Sequence, residues 1–413
     1  MHFALMCPPY TGHLNPMFAV AQALRSRGHR STFVGLPDTA ERVVSAGFEQ
    51  CTLGAVSHPC GSLRQMEGRL ARLEGFIGLR TAISDMAGMT NMLCREGAAA
   101  LRKLAPDGIV CDQLEAAGGL LARHLRMPCI SVANALMIDR EPYVPPPFTA
   151  WRYARTGWGR SRNLGGYRVT DWLMSDVSQV IARWSKTWQL PGCRTVEDCL
   201  APVQIGQLSP ALDFPREALP TGFHYTGPLR PSLGTEEVWH APSYPLRRFV
   251  YVSLGSLQGG RFELIASITQ ACRDQGFTAV VAHGGRLDAA QSAALPGAPI
   301  VEPFVAQRRV IEHCDLVITH GGMNTVLDAL TVGVPLVLVP LAMEQGAISQ
   351  RCVRAGVGLQ VRSRLPGVRA LRTVIGASLG GARCTHRAAS LAAALKAAGG
   401  ATRAAELIEC HAS

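Results

Sequence analysis

Residues 316–328 have the sequence LVITHGGMNTVLD. The apolar run Leu316–Thr319 is typical of a buried strand, and the spacing of Leu327 and Leu330 beyond the turn is typical of a helix. The glycines of the turn let backbone N–H groups approach an anion, whose charge the helix N-terminus favours. A strand that passes through a tight turn into a helix is the repeating unit of an α/β protein.

The same alternation of strands and helices extends through both halves of the chain. Apolar, β-branched runs predict strands at 2–7, 30–35, 108–111, 129–132, 249–253, 278–282, 316–319 and 334–339. Amphipathic segments predict helices between them; the clearest spans 16–27, and Gly28 follows it as a stop signal. Strand–helix–strand repeats imply parallel sheets with right-handed crossovers.

The chain has 413 residues, which is too long for one ordinary hydrophobic core, so two domains are expected. A stretch rich in proline and glycine, 215–245, separates the two halves. We expect an α/β fold with two facing, Rossmann-like, doubly wound parallel-sheet domains and a cleft between them. The predicted boundaries are an N-terminal domain over 1–220, a linker over 221–245, a C-terminal domain over 246–396, and a final helix over 397–413 that crosses back to the N-terminal domain. Ligands of such sheets bind beyond the carboxyl ends of the strands.

Composition argues against several other classes of protein. With 47% hydrophobic and 17% charged residues the chain is predicted to be globular, and prolines within the apolar run 332–343 favour a buried strand over a membrane span. Thirteen cysteines without a Cys-x-x-Cys pair indicate neither zinc nor a disulfide framework.

Without a basic leader, we expect a cytoplasmic protein. The net charge of +11 comes with no nucleic-acid-binding motif, and no Gly-x-Gly-x-x-Gly follows the first strand, which argues against an NAD-dependent dehydrogenase.

Polar residues around the glycine turn form a candidate nucleotide site. Asn324 and Asp328 lie four residues apart and share a helix face, where a carboxylate can accept hydrogen bonds from ribose hydroxyls. The turn alone could equally be structural. Its neighbours favour a ligand: Phe304-Val305-Ala306-Gln307 before it, Gly333-Val334-Pro335 and Glu344-Gln345 after it, and Ser253-Leu254-Gly255-Ser256 at the first strand of this half.

In order and spacing, the stretch 304–345 resembles the nucleotide-sugar signature of the family 1 glycosyltransferases, which have the GT-B fold. The resemblance implies that Phe304, in place of the usual tryptophan, stacks on uracil, and that Asp328, in place of the commoner glutamate, holds the ribose. It implies diphosphate contacts from Ser256, His320, Asn324 and Thr325, and sugar contacts from Glu344 and Gln345. The full donor-binding set that it implies is Ser256, Phe304, Val305, Gln307, His320, Gly322, Asn324, Thr325, Asp328, Glu344 and Gln345.

A histidine and an aspartate that follow two strands of the first half are the candidate catalytic pair. His13 follows the first strand, and Asp112 ends the strand predicted over 108–111. A histidine beside a glycine is more often structural, and Asp112 could be a helix N-cap. The family resemblance implies that His13 is the general base that deprotonates the acceptor, while Asp112 fixes its tautomer. It further implies an inverting single displacement without a cofactor and, because the sequence lacks Asp-x-Asp, without a metal ion.

The stretches 250–262 and 323–330 resemble the bacterial zeaxanthin glucosyltransferases, which share the Ser-Leu-Gly-[Ser/Thr]-Leu-Gln-Gly run. This narrower resemblance implies UDP-glucose as donor and a hydroxyl of a hydrophobic acceptor, a carotenoid. Because such an acceptor resides in membrane, we expect peripheral contact with the cytoplasmic membrane surface near 151–160, where aromatic and arginine residues interleave. An ordinary exposed loop would have the same pattern, and the local glycines argue against a long amphipathic helix.

Three other functions remain as alternatives. The same chemistry could act on a soluble polyketide, macrolide or flavonoid, because acceptor loops vary. An epimerase with this fold is disfavoured by the glycine turn with its downstream Glu-Gln pair. A non-catalytic carotenoid- or lipid-binding protein is disfavoured because His13, Asp112 and the donor set are all present.

Overall fold

Two parallel β-sheets organise the chain, whose computed structural model describes residues 1–72, 75–231, 239, 248–380 and 382–412. The N-terminal sheet consists of β1 (His2–Met6), β2 (Arg30–Gly35), β3 (Glu49–Thr52), β4 (Gly108–Asp112), β5 (Cys129–Ala133), β6 (Val203–Gly206) and β7 (Phe223–Tyr225). The C-terminal sheet consists of β8 (Arg248–Ser253), β9 (Phe277–Ala282), β10 (Ile300–Glu302), β11 (Leu316–Thr319), β12 (Leu336–Leu338) and β13 (Gly358–Gln360).

The strand orders are β3-β2-β1-β4-β5-β6-β7 and β10-β9-β8-β11-β12-β13, with every neighbouring pair parallel. Both sheets therefore start in the middle and wind outward in two directions, which is the Rossmann-like order. This topology confirms the predicted fold class of two doubly wound parallel-sheet domains.

Helices cover both faces of each sheet. Those of the first half are α1 (Thr11–Ser26), α2 (Ala40–Ser45), α3 (Ser62–Arg72), α4 (Gly75–Leu104), α5 (Ala116–Leu125), α6 (Gly157–Leu173) and α7 (Ser175–Thr187), with single 3-10 turns at Pro37–Thr39 and Glu197–Cys199. Those of the second half are α8 (Gly255–Gln258), α9 (Phe262–Asp274), α10 (Ala289–Ala293), α11 (Gln307–Ile311), α12 (Met323–Val332), α13 (Gln345–Ala355), α14 (Val368–Leu379), α15 (Ala382–Ala397) and α16 (Gly400–Ala412). No helix in these described ranges is long and apolar enough to cross a bilayer.

Alternate residues of each central strand face opposite cores. In β1, Ala4 and Met6 pack into one hydrophobic cluster, while Phe3 and Leu5 pack into another. The last helix, α16, contributes Ala404 and Ile408 to the second of these clusters and lies against α1. The C-terminal end of the chain is thus part of the core beneath the N-terminal sheet.

The predicted strands match the structure closely in the centre of each sheet. Arg30–Gly35 and Leu316–Thr319 have the predicted bounds, and the strand expected at 334–339 is shorter, Leu336–Leu338. Prolines before and after that strand cannot donate a ladder hydrogen bond, which limits its length. Five strands of three or four residues, β3, β6, β7, β10 and β13, were not predicted because they are too short to establish a pattern.

Two predicted boundaries are wrong. The first helix begins at Thr11, not at residue 16, so Pro16 lies inside α1 and His13 lies on its first turn. The linker predicted over 221–245 begins too early, because Phe223–Tyr225 forms β7 and pairs with β6. Flanking prolines and glycines concealed this short strand; the linker positions 232–238 and 240–245 lie outside the described residues.

A buried ion cluster joins the two halves. The carboxylate of Asp213, in the loop after β6, accepts hydrogen bonds from Arg351 Nε on α13 at 2.6 Å and from Arg216 Nε at 3.0 Å. Burial alone would raise the pKa of Asp213, but the two guanidinium groups lower it well below its usual range. Because a buried charge without a partner is costly, this cluster strongly favours one relative placement of the two sheets.

Candidate active site

His13 and Asp112 meet at the carboxyl edge of the N-terminal sheet. His13 lies in the first turn of α1, directly after β1, and Asp112 is the last residue of the neighbouring strand β4. Their atoms Nδ1 and Oδ2 are 2.7 Å apart, and the side chains are 18% and 2% exposed. Since a carboxylate only accepts, Nδ1 carries the shared proton and Nε2 is left as the basic atom.

The surroundings of His13 tune its basicity. Burial lowers the pKa of the imidazole, but the charge of Asp112, its hydrogen bond and the charge of Glu344 outweigh burial and raise the pKa above its usual value. Glu344 belongs to the C-terminal half, so a charge of the facing half contributes to this shift. A histidine whose pKa is raised by a neighbouring carboxylate can accept a proton from a hydroxyl group.

Asp112 is itself held in place by a residue that the sequence did not single out. Asn134, immediately after β5, donates from Nδ2 to Asp112 Oδ2 at 2.6 Å, and the backbone N–H of Leu114 donates to Oδ1 at 2.8 Å. The N-cap of α5 is Glu115, so the hypothesis that Asp112 caps this helix is wrong. The only sequence signal for Asn134 is a polar residue directly after a buried strand.

The glycine turn shapes a pocket edge at the C-terminal sheet. His320 follows β11, and α12 begins just beyond Gly322. A Cβ on Gly322 or on Gly255 would come within 2.8 Å of the His320 ring, so only glycine fits on either side of it. Burial lowers the pKa of His320 to about 4, so this histidine is a neutral hydrogen-bonding group at pH 7.

Asp328 is the centre of a hydrogen-bonded group on α12. Gln307 donates from Nε2 to Asp328 Oδ2 at 2.6 Å, and its own Oε1 accepts from Tyr251 at 3.0 Å and from Thr325 at 3.3 Å. Arg230, which follows β7, donates from Nε to Asp328 Oδ1 at 2.5 Å. The structure therefore brings three predicted donor-site residues together and adds Arg230, which no sequence motif indicated.

The remaining predicted donor residues surround this group. Phe304 is 73% exposed, so most of its side chain is open to solvent. Val305 is half-buried, and Ser256 lies in the short helix α8. Glu344 precedes α13; the Oε1 atom of Gln345 accepts two backbone N–H groups of its own loop at 2.9 Å, so it shapes the loop that presents Glu344.

A single proline lets the two edges touch. Pro16 lacks the N–H that would normally donate to the carbonyl oxygen of Gly12 within α1. That oxygen instead accepts a hydrogen bond from Asn324 Nδ2, across the cleft, at 3.2 Å. Because Gly12 is the residue before His13, this contact brings the N-terminus of α12 next to His13.

Two parallel sheets of Rossmann order, with a histidine–aspartate pair at one edge and a nucleotide-type turn at the facing edge, define a glycosyltransferase of the GT-B class. The chain belongs to the family described as UDP-glucoronosyl and UDP-glucosyl transferase, which matches residues 171–377. It is an enzyme of that family, as its sequence predicted. In the described part of the chain, no three His, Cys, Asp or Glu side chains converge as metal ligands.

Individual relatives agree with this assignment. Zeaxanthin glucosyltransferase from Pantoea ananas is 38% identical, over 99% of this chain and 95% of its own length. Demethyllactenocin mycarosyltransferase from Streptomyces fradiae is 28% identical, over 86% of this chain and 75% of its own length. The solved structure of the glycotransferase of kitacinnamycin has a TM-score of 0.76 at 22% identity, and covers 99% of this chain and 98% of that one, a likeness of fold.

We predict that Asp112→Asn lowers the pKa of His13 below its usual value, because the substitution removes the charge that outweighs burial. The measurement is an NMR titration of labelled histidine, with His13→Gln to assign the resonance. Asp315→Asn, at an exposed pair with Arg248, is the matched control and should leave the titration unchanged. An unchanged or raised pKa in Asp112→Asn would contradict the assigned pair.

Proposed function

We propose that this enzyme transfers glucose from UDP-glucose to a hydroxyl group of a hydrophobic acceptor, a carotenoid such as zeaxanthin, in one inverting step with His13 as general base. The observation that carries the proposal is the hydrogen-bonded pair of His13 and Asp112, directly opposite the N-terminus of α12. The donor and acceptor classes rest on the relatives, since zeaxanthin glucosyltransferases from two organisms are each 38% identical to this chain over 99% of its length.

The proposed reaction moves one proton and one sugar. Nε2 of His13 takes the proton of the acceptor hydroxyl while that oxygen forms a bond to C1 of glucose, and the bond from C1 to the diphosphate oxygen breaks. Asp112 stabilises the imidazolium that forms, as its short hydrogen bond to Nδ1 allows. Attack from the face opposite the leaving group converts an α-linked donor into a β-glucoside.

The leaving diphosphate needs hydrogen-bond donors in place of water. In this proposal they are the backbone N–H groups at the start of α12, that of Thr325 included, together with Asn324 and Ser256, and the helix N-terminus adds its partial positive charge. His320 contributes as a neutral donor, because burial holds its pKa near 4. Metal independence is part of the proposal and rests on this set of donors.

The nucleoside and sugar have their own partners in the proposed complex. Uracil stacks on the exposed face of Phe304, with Val305 and Gln307 beside it, and Asp328 accepts hydrogen bonds from the ribose. Glu344 accepts from glucose hydroxyls on the side of the cleft that faces His13. Gln345 holds the loop of Glu344 through its Oε1 atom.

We expect wild-type protein to form a glucoside from UDP-glucose and zeaxanthin in detergent micelles, as measured by chromatography and mass spectrometry. His13→Ala should slow glucoside formation by on the order of 10²-fold or more, because it removes the general base. The exposed histidine His411 offers the matched control, and His411→Ala should be fully active.

The same assay separates the proposal from its alternatives. Wild-type protein could release UDP slowly without forming a zeaxanthin glucoside, and His13→Ala could abolish that release. This result would support a glycosyltransferase whose acceptor is not a carotenoid but a soluble compound such as a polyketide, macrolide or flavonoid. No turnover of any UDP-sugar by folded wild-type protein would favour a non-catalytic carotenoid- or lipid-binding protein.

The proposed function includes peripheral binding to the cytoplasmic face of a membrane, where a carotenoid would be met. The glycines near residue 160 do not prevent a helix: α6 has 17 residues, and Gly159 and Gly166 lie where a Cβ would collide with Ala154 and Trp151. They serve close packing, so the argument from these glycines against a long helix is wrong, whereas residues 151–155 do form a loop.

The outer face of α6 has the composition of an interfacial helix. It exposes the large apolar side chains Trp158, Leu164, Val169 and Trp172, of which Trp158 is 70% exposed. Arg80 of α4 lies over the Trp172 ring, and Arg162 stacks on both Trp158 and Trp151. Aromatic rings beside guanidinium groups suit the boundary between acyl chains and anionic headgroups.

We predict that the protein co-sediments with vesicles containing phosphatidylglycerol more than with phosphatidylcholine vesicles, and that salt releases it. Trp158→Ser combined with Val169→Ser should weaken binding by about tenfold or more, because two exposed apolar side chains lose their burial in lipid. Val56→Ser, at an exposed valine in the loop before α3, should bind as wild type. Equal binding by all three proteins would exclude α6 as the contact surface.

A further inference from the structure

Arg230 connects the segment that leaves the N-terminal sheet to the donor site of the C-terminal sheet. It lies five residues after β7, and its side chain is only 11% exposed. Nε donates to Asp328 Oδ1 at 2.5 Å, and Nη2 donates to the backbone oxygen of Asn324 at 2.9 Å. The guanidinium therefore contacts α12 at two points one turn apart.

Asp328 keeps the capacity to bind a diol while it holds Arg230. Its Oδ1 accepts from Arg230 and its Oδ2 accepts from Gln307 at 2.6 Å, and each carboxylate oxygen has a second lone pair. Two vicinal hydroxyl groups of a ribose would use those two positions. The carboxylate is 7% exposed, so its orientation depends on the two groups that already hold it.

The other side of the guanidinium is anchored in the N-terminal half. Nη1 of Arg230 donates to Oε1 of Gln207, a fully buried residue after β6, at 3.0 Å. Gln207 donates from Nε2 to the backbone oxygen of Asn134 at 2.6 Å, and Asn134 donates to Asp112. An unbroken series of hydrogen bonds thus connects the partner of the proposed base to the carboxylate of the donor site.

We propose that Arg230 is a positioning residue for the nucleotide: it fixes the Asp328 carboxylate so that both ribose hydroxyls are bound, and it thereby selects ribonucleoside over 2′-deoxyribonucleoside diphosphates. This inference rests on the proposed donor site at Asp328. Its physical basis is that charge-assisted hydrogen bonds from a planar guanidinium restrict the carboxylate more tightly than a neutral or single-point donor would. A ligand without the 2′-hydroxyl loses one of the two positions that Arg230 maintains.

The test compares the affinities of UDP and 2′-deoxy-UDP by calorimetry for wild type, Arg230→Gln and Arg230→Lys, with unfolding temperatures measured in parallel. We expect wild type to bind UDP about tenfold more tightly than 2′-deoxy-UDP, as one hydrogen bond to a charged group allows. In Arg230→Gln, UDP affinity should fall by about tenfold, while 2′-deoxy-UDP affinity should change by less than about threefold. Arg230→Lys keeps the charge without the planar, two-point donor group, so its affinity for UDP should lie between those of wild type and Arg230→Gln. This variant provides the readout if Arg230→Gln does not fold.

The matched control is Arg248→Gln, at an exposed arginine of the C-terminal half that pairs with Asp315, and it should bind both nucleotides as wild type does. If the Arg230 variants lose equal affinity for UDP and for 2′-deoxy-UDP, the proposal is overturned and Arg230 has only a structural role. If the Arg230 variants bind UDP more tightly than wild type does, the proposal is also overturned, because Arg230 would then compete with ribose for Asp328. Binding of neither nucleotide to folded wild type would instead refute the proposed donor site itself.

Discussion

Every strand pair in both sheets is parallel, and the rest of the molecule depends on this constraint. Parallel strands require a crossover after each strand, so all carboxyl ends of a sheet lie at one edge and each is followed by a turn into a helix or loop. Asp112 and His320 occupy such positions, and His13 lies in the first turn of the helix that follows β1. Two such edges that face each other bring the hydrogen-bonded pair of His13 and Asp112 and the N-terminus of α12 to one cleft.

Buried ion pairs connect the two halves, beside an apolar cluster in which Leu136 and Leu208 pack against residues of the C-terminal half. Asp213 is buried against Arg351, and Arg230 is buried against Asp328; removing one member of such a pair would leave an uncompensated charge inside the protein. The carbonyl of Gly12 is available to the opposite half only because the helix that contains it includes a proline four residues later. Polar contacts of this kind specify a geometry more than they add stability.

Sequence reasoning succeeded where chemistry follows a local pattern. The turn after β11 and the position of His13 after β1 could be predicted because a strand, a turn and a helix are adjacent in the chain. Asn134 and Arg230 could not, because their partners depend on which strands become neighbours and on the path of the chain after β7. The early end predicted for the N-terminal sheet and the wrong argument against a long helix near residue 160 have one cause: glycine and proline mark turns on average, yet here they also permit close packing.

In the proposed reaction the acceptor oxygen, activated by His13, displaces the nucleotide from the opposite face of the sugar in a single step. The most direct test is the anomeric configuration of the glucoside formed from UDP-α-glucose, read from the proton coupling at C1 by NMR. We expect a β-glucoside. An α-glucoside would contradict it, because retention requires a different arrangement of groups around C1 than one base facing one leaving group.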